Sequence, residues 1–517
     1  MIRGRGWLVP LGLYALAVLA GAVAAGGVAF PPTEVSAYVL GVARNLVTGH
    51  GLASDAIWSY ASGPFVLPRP AFDIWQPMPG FLAALPMAVA GPSFAAAQAS
   101  SVLVGALLAP LTWWVACIAA WRNGLGGPRA TIVAIGAGLV AATFGPFLTA
   151  MAGPDSFVPF TVFVVGACLL VPRALQGGRG AGIALGVALG LAYLSRQEAI
   201  WFGLAYVLLA GGGKRPWSSA LRWPLVAGVI VAGPWIVRNA LTFDGGGVRQ
   251  ALENAWLTTN TDIFAFATRP SATTFVAQGP AVIAAHIGTA LVHDLADVLI
   301  VPAAPIGVVG LVALVALRRT AAVREAGPLR ALLLGGAITY LVTSVAFPVA
   351  TLWGTFQHAS GPLLSALIIL SALGLDAFVA RVRSRRGWSR ENAWLAPLAT
   401  LAMSVPVAVL SVALVAANAD AEAGRMASLR AAIGTLDAPV ITDHPTWVSM
   451  TLEVPALAYP HEDDTSVTAL AGTFGARWLL LTDADIAGPS ATPSCFERQP
   501  IALPGARLFG ILPGCIP

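Results

Sequence analysis

The chain has 517 residues, 57% of them hydrophobic and only 10% charged, with mean hydropathy +0.78 and formal net charge +5. A water-facing domain carries about a quarter of its residues as Asp, Glu, Lys or Arg, so this composition excludes a soluble globular surface over most of the molecule. The basic residues are dispersed at the ends of apolar runs and form no patch, which excludes the electrostatic footprint of a nucleic-acid binder.

A helix needs about 20 apolar residues to cross about 30 Å of hydrocarbon. Runs of that kind cover residues 7–30, 94–121, 131–152, 223–237, 298–317, 331–349, 363–380 and 393–417. Three weaker ones cover 157–171, 181–194 and 199–210. The first is too long for a signal peptide and counts as a span. The expected fold is therefore an all-α polytopic membrane protein of about 11 transmembrane helices.

Arg and Lys mark the cytoplasmic ends of spans. With Arg3 and Arg5 inside, the inner loops hold Arg122/Arg129, Arg173/Arg179, Lys214/Arg215/Arg222, Arg318/Arg319/Arg324/Arg330 and Arg381/Arg383/Arg385/Arg386/Arg390. These are 18 of the 29 basic residues, accompanied by three acids, Glu325, Asp376 and Glu391. The inner loops thus sum to +15 and leave −10 for the rest of the chain. The expected placement is a multi-pass protein of the cell membrane, N-terminus cytoplasmic and C-terminal segment outside.

That rule also decides residues 181–210. A single kinked helix would put Arg179 and Lys214 on opposite sides, so a hairpin is expected, with its tip at Ser195-Arg-Gln-Glu198. An Arg and a Glu near the membrane surface must face protein or water, because lipid makes them costly.

The polar mass then lies outside, in segments 31–93, 238–294 and 418–517, together with all six histidines. Two domains follow: residues 1–417 in the membrane, including the 31–93 loop with its surface helices, and an extracytoplasmic α/β domain over 418–517. In the latter, residues 439–443 and 477–483 read as strands and 469–474 as helix. The pairing of Cys495 with Cys515 stays open at this point. No Cys/His cluster has metal-ligand spacing, and no phosphate-binding Gly-Lys-Ser/Thr loop is present.

The first external loop opens Pro31-Pro-Thr-Glu34, and Val35, Tyr38, Val39, Val42 and Leu46 share one helical face. Such a helix lies along the membrane surface with Glu34 at its N-terminus, where the dipole favours a carboxylate. Trp58, Tyr60, Pro68-Arg-Pro70 and Asp73-Ile-Trp-Gln-Pro77 follow; such aromatic residues can serve simply as an interfacial belt.

The order Glu34…Tyr38…Ala43-Arg-Asn-Leu46…Gly49-His-Gly51, then Trp75-Gln-Pro77, resembles the GT-C glycosyltransferases. The nearest branch contains protein O-mannosyltransferases and lipid A aminoarabinose transferases. Gly153-Pro-Asp155-Ser156, Tyr193-Leu-Ser-Arg196, Pro234-Trp-Ile-Val-Arg-Asn239 and Gly354-Thr-Phe-Gln-His358 extend the likeness along the membrane region. The family usually opens this loop with an Asp, often in an Asp-Glu pair. Here the pair reads Thr33-Glu34 and leaves Glu34 as the carboxylate.

The resemblance implies transfer of a sugar from a polyprenyl-phosphate donor to a lipid, glycan or protein acceptor on the outer face. Nucleotide sugars are cytoplasmic, so outward-facing polar groups fit a donor already carried across by its lipid. The implied catalytic residues are Glu34, as the base, and Asp155, positioning the acceptor or acting on Glu34 by like charge. Arg196, Arg238 and Arg44 would hold the donor phosphate through forked hydrogen bonds, and His358 would donate another. No cofactor is implied, although Glu34 and Asp155 could share a divalent cation. Each residue has a plainer reading: Glu34 and Asp155 as helix caps, Arg196 with Glu198 as a structural ion pair, Arg238 as an interfacial anchor, His358 as a satisfied polar core residue. A noncatalytic envelope scaffold and a lipid or solute transporter are the alternatives of other classes.

The topology is directly testable. Single cysteines near Arg319 and Arg385 should react only from the cytoplasmic side, and those near His461 or Asp463 only from outside. The opposite pattern would turn the polar face toward nucleotide sugars.

Overall fold

The computed structural model describes residues 7–212, 216–245, 248–387, 394–483, 485–486, 489 and 495–516. Arg3, Arg5, Lys214, Arg215, Arg390 and Glu391, counted above as inner-loop charges, lie outside the described residues. Among the described residues eight helices are long and apolar enough to cross a membrane: Leu8–Gly26, Phe94–Arg122, Phe157–Leu175, Trp217–Thr242, Pro280–Ile300, Pro328–Ala346, Gly361–Arg386 and Leu395–Ile433. The bent pair Gly127–Ala142 and Gly145–Met151 makes a ninth. Shorter apolar helices occupy Met78–Ala90, Arg179–Ser195, Ala199–Gly211 and Ile306–Leu317.

The apolar runs of the sequence fall on seven of the long helices, on the bent pair and on three of the shorter helices. The helix they do not anticipate is Pro280–Ile300, most of which falls in the second external segment. His286, His293, Asp294 and Asp297 break its apolar pattern. The chain keeps it helical by passing from α to π geometry at Asp294–Ile300 and burying Asp294 completely.

The expected hairpin tip coincides with the helix break, between Arg179–Ser195 and Ala199–Gly211. Gly182, Gly186 and Gly190 stand one turn apart on the first arm, and a Cβ on Gly186 would lie 2.1 Å from the Pro224 carbonyl. Small residues at that spacing let two membrane helices approach backbone to backbone. The close crossing fixes the helix that carries Arg238 against the one that ends at Arg196. On the expected inner side, Arg129 forms a forked pair with buried Asp376 (3.0 and 2.7 Å), tying Gly127–Ala142 to Gly361–Arg386.

The sheets use strands β1 (Ala53–Ser54), β2 (Ala56–Ile57), β3 (Arg69–Pro70), β4 (Val440–Thr442), β5 (Ala456–Ala458), β6 (Trp478–Leu481), β7 (Phe496–Gln499) and β8 (Arg507–Ile511). Strands β1 and β3 pair within the first external loop. The tail sheet has the order β2-β5-β4-β6-β8-β7, with β2, β5, β4 and β6 parallel, β8 antiparallel to β6 and β7 antiparallel to β8. Its edge strand β2 thus comes from the first external loop. The apolar core under the sheet is likewise shared: Ile57, Tyr60, Leu257, Phe264 and Val349 from the outer loops pack with Ile441, Leu457, Leu470 and Leu479. Helix Leu395–Ile433 runs unbroken across the boundary drawn at residue 418, and its Met426 and Leu429 enter the tail's core. Cys495 and Cys515 form a disulfide that closes the β7–β8 end of the sheet.

Candidate active site

Helix Glu34–Val47 begins with Thr33, whose hydroxyl accepts from the Ser36 amide (3.1 Å) and caps it. The capping role therefore belongs to Thr33, and the Glu34 carboxylate is free to turn toward the tail. One oxygen lies 3.0 Å from His444 Nδ1; the other accepts from the Thr446 amide (3.1 Å) and hydroxyl. Trp447 Nε1 donates to the Pro31 carbonyl (3.2 Å) beside this contact. Burial alone would lower the His444 imidazole, but the hydrogen bond and charge of Glu34, with Asp443 nearby, outweigh it and the Arg425 charge and hold it above 6.5.

The turn bearing Asp155 abuts the same helix start, since a Cβ on Gly153 would meet Ser36 Oγ at 2.9 Å and Pro32 at 3.2 Å. The buried Gln98 amide reaches the carbonyls of Ala25, Val28 and Ala152 (3.1, 2.9 and 2.7 Å), which locks the loop start to that turn. Asp155 accepts from the Phe157 amide (2.9 Å) and the Ser156 hydroxyl (3.1 Å), and its Oδ1 lies 3.0 Å from His358 Nδ1. Burial would raise this carboxyl, but the charge and hydrogen bond of His358, the Phe157 amide and the Arg196 charge hold it well below the usual carboxylate range.

Arg196, at the hairpin tip, donates to Ser156 Oγ (3.0 Å) and to the Thr355 carbonyl (3.3 Å) and grips Glu198 with two nitrogens (3.1 and 2.6 Å). Asp155, Arg196 and His358 thus form one network through Ser156, and Glu198 is part of it. His358 is supported from below. Asp294 accepts from Ser344 (2.8 Å) and Thr351 (3.0 and 2.9 Å), and Thr351 sits in the 3₁₀ turn Ala350–Trp353 that precedes the helix of His358.

Arg238 lies in a second network. One Nη donates to the Ala71 carbonyl (2.9 Å) and Asn239 Oδ1 (2.8 Å), and the guanidinium rests on Trp235 and Phe243 (4.8 and 5.1 Å). Nearby, Arg69 pairs with Asp73 at 2.9 Å, both nearly buried. Burial raises the Asp73 carboxyl, against the charges of Arg69 and Arg238. Tyr38 accepts from the Phe72 amide (2.7 Å) and joins this network to the helix of Glu34. Arg44 is half-buried and its side chain makes no hydrogen bond or ion pair among the described residues.

Aromatic rings link the networks: Tyr38 to Trp75 (4.4 Å), Trp75 to Trp58 (5.2 Å), Trp58 to Phe264 (4.9 Å), then Phe264 to Trp353 and to His461 (5.7 and 5.9 Å). These rings pack on one another in a continuous chain that runs from the Glu34 helix to His461 of the tail. A narrow cleft lined by Pro79, Leu82, Ser101, Val104, Asp155 and Val158 adjoins Asp155. Glu34 and Asp155 do not hydrogen-bond to each other; each faces its own histidine. Among the described residues no group of three or more His, Cys, Asp or Glu gathers as a metal site.

His444, Thr446, Arg69, Asp73 and Asp294 join these networks without being among the candidates drawn from the sequence. His444 had a usable signal, since it directly follows a predicted strand, where α/β sheets place ligands. Asp294 had none, because its partners are 50 and 57 residues away.

Residues 69–237 match the family described as dolichyl-phosphate-mannose-protein mannosyltransferase. In structure the chain resembles ArnT from Cupriavidus metallidurans bound to undecaprenyl phosphate, with TM-score 0.60, 14% identity and 100% of both chains covered. The fold is that of the GT-C glycosyltransferases. The oligosaccharyltransferase of Archaeoglobus fulgidus has TM-score 0.55 at 12% identity, over 93% of this chain and 69% of its own. The arabinofuranosyltransferase AftD from Mycobacteria has TM-score 0.52 at 15% identity, over 99% of this chain and 40% of its own. No curated protein matches by sequence. With eight helices long and apolar enough to cross a membrane among its described residues, the chain is a multi-pass membrane protein.

The His444–Glu34 contact gives a pH dependence whose sign is fixed. With the imidazole held above its ordinary 6.5, its contribution to tail docking is complete at lower pH and lost as pH rises through the raised value. Hydrogen exchange in Pro445–Leu452, corrected for intrinsic rates, should therefore quicken from neutral to alkaline pH. Glu34→Gln should flatten that response; an unchanged response in the variant would show that the docking does not depend on this pair.

Proposed function

We propose that the chain transfers a sugar from a polyprenyl-phosphate donor to an acceptor hydroxyl on the outer face of the cell membrane, with its N-terminus cytoplasmic. The observation that carries this reading is the gathering of Glu34, Asp155, His358, Arg196 and Arg238 on the loop-and-tail side of a GT-C fold, the side opposite the Arg129–Asp376 pair. The fold match to a protein bound to undecaprenyl phosphate supports the donor class.

In this reading Glu34 belongs to the proton-accepting end of the site. Asp155, oriented by His358 and Ser156, positions the acceptor. Arg238 offers Nε and one Nη that make no hydrogen bond among the described residues, and Arg44 offers its whole guanidinium. These two are the readiest cations for the donor phosphate. Arg196 already binds Glu198, so it reaches the phosphate by loosening that pair. Cations aimed at the departing phosphate stabilise charge that grows in the transition state, where such contacts raise rate most.

Purified protein incubated with polyprenyl-phosphate sugars should release polyprenyl phosphate. Glu34→Gln should lower turnover by about 10²–10⁴-fold with donor binding nearly intact. Arg238→Ala should weaken donor binding and turnover together. Full activity in Glu34→Gln, with loss in Asp155→Asn, would move the proton-accepting role to Asp155.

A further inference from the structure

His444 stands where the tail meets the membrane half, directly after β4 and at the carboxyl end of the parallel strands. That is the edge at which parallel α/β sheets bind their ligands. Its Nδ1 is held by Glu34 at 3.0 Å, and its ring packs on Trp447 with centroids 5.2 Å apart. Position and plane are therefore both fixed. Its Nε2 makes no hydrogen bond among the described residues, and the side chain keeps 28% of its surface exposed. Glu34, in contrast, has one oxygen facing His444 and the other taken by two donors from Thr446. Both Glu34 oxygens are thus engaged, whereas the imidazole keeps one whole nitrogen without a hydrogen bond among the described residues. A carboxylate on one ring nitrogen leaves the other as proton acceptor and stabilises the imidazolium that forms.

We propose that His444 is a catalytic residue: its Nε2 takes the proton of the acceptor hydroxyl, while Glu34 orients the ring. This rests on the glycosyl-transfer reading above. The acceptor oxygen forms a bond to the anomeric carbon as the bond from that carbon to the phosphate oxygen breaks. The bonding pair leaves with the polyprenyl phosphate, and the hydroxyl proton ends on Nε2. The imidazolium is then flanked by Glu34 from the first surface helix and Asp443 from its own loop, and opposed by Arg425 from helix Leu395–Ile433. The proton returns to solvent once product leaves. The active site is thereby divided between the two halves of the chain, and the acceptor enters between them.

The deciding variant is His444→Asn in the full-length protein. An asparagine amide nitrogen falls near the imidazole Nδ1 position, so it keeps a donor to Glu34 and deletes Nε2. The assay uses undecaprenyl-phosphate-linked sugars with octyl glycosides as surrogate acceptors and reads free undecaprenyl phosphate. Undecaprenyl phosphate binding and melting temperature are measured alongside. The expected result is turnover reduced by about 10²–10³-fold, with lipid-phosphate binding and melting temperature matching the wild type. The acid limb of the wild-type pH–rate profile should vanish with it. Turnover within threefold of wild type overturns the inference and leaves glycosyl transfer standing. Turnover lost together with melting temperature overturns it too, by assigning His444 to docking alone. A wild-type protein that releases no polyprenyl phosphate from any donor overturns the reading of function itself.

Discussion

One carboxylate ties the two halves of this molecule together. Glu34 leaves the membrane half at the first turn of a surface helix and is bound by an imidazole, an amide and a hydroxyl of the tail. Around that contact the other connections fall into place. Strand β2 from the same external loop completes the tail sheet, and Tyr60 donates to the Ala458 carbonyl at 2.5 Å. On the far side Glu462 accepts from the amides of Phe266, Ala267 and Thr268 (3.0, 2.9 and 2.7 Å). A tail held at several points keeps the Glu34–His444 contact largely buried. In such a setting charges act at lower dielectric than in bulk water, and each hydrogen bond fixes geometry more firmly.

The membrane half serves this arrangement by rigidity. Glycine-mediated crossings bring helices to backbone contact, and the Arg129–Asp376 pair ties two of them at the opposite end. The polar residues that the bilayer would penalise are collected where helices end or break: Asp155 between two helices, Arg196 at a hairpin tip, His358 after a left-handed Gly354. Asp294 is the exception. Its burial within a helix is offset by hydroxyls from Ser344 and Thr351, and a π segment accommodates it. π segments of this kind occur frequently at functional sites.

Much of this was legible in the sequence, for physical reasons. Span length and the separation of charge report directly on the bilayer, so seven of the eight long helices and the 195–198 hairpin tip could be read off, while Pro280–Ile300 was hidden by its His and Asp residues. Strands β4 and β6 could be read as apolar runs, because strands buried on both faces lose alternation. Strands β2, β5, β7 and β8 escaped notice: two- to five-residue strands carry too little pattern, and β2 belongs to a sheet completed about 400 residues later. The same distance hid the site's pairings. Glu34 could be singled out by its place at a helix start, but its partner His444 lies 410 residues on. Arg196 could be placed at a membrane edge, while its tie to Ser156 needed the packing of two hairpins.

The proposed function requires a lipid-linked phosphate to bind on the side of the molecule where Glu34 meets the tail. The most direct measurement is the position of undecaprenyl phosphate in a structure of the full-length protein determined with that lipid. Its phosphate is expected within hydrogen-bonding reach of Arg238 or Arg44, on the same side as Asp155 and His444. A phosphate bound beside Arg129 and Asp376, at the opposite end of the helices, would contradict it.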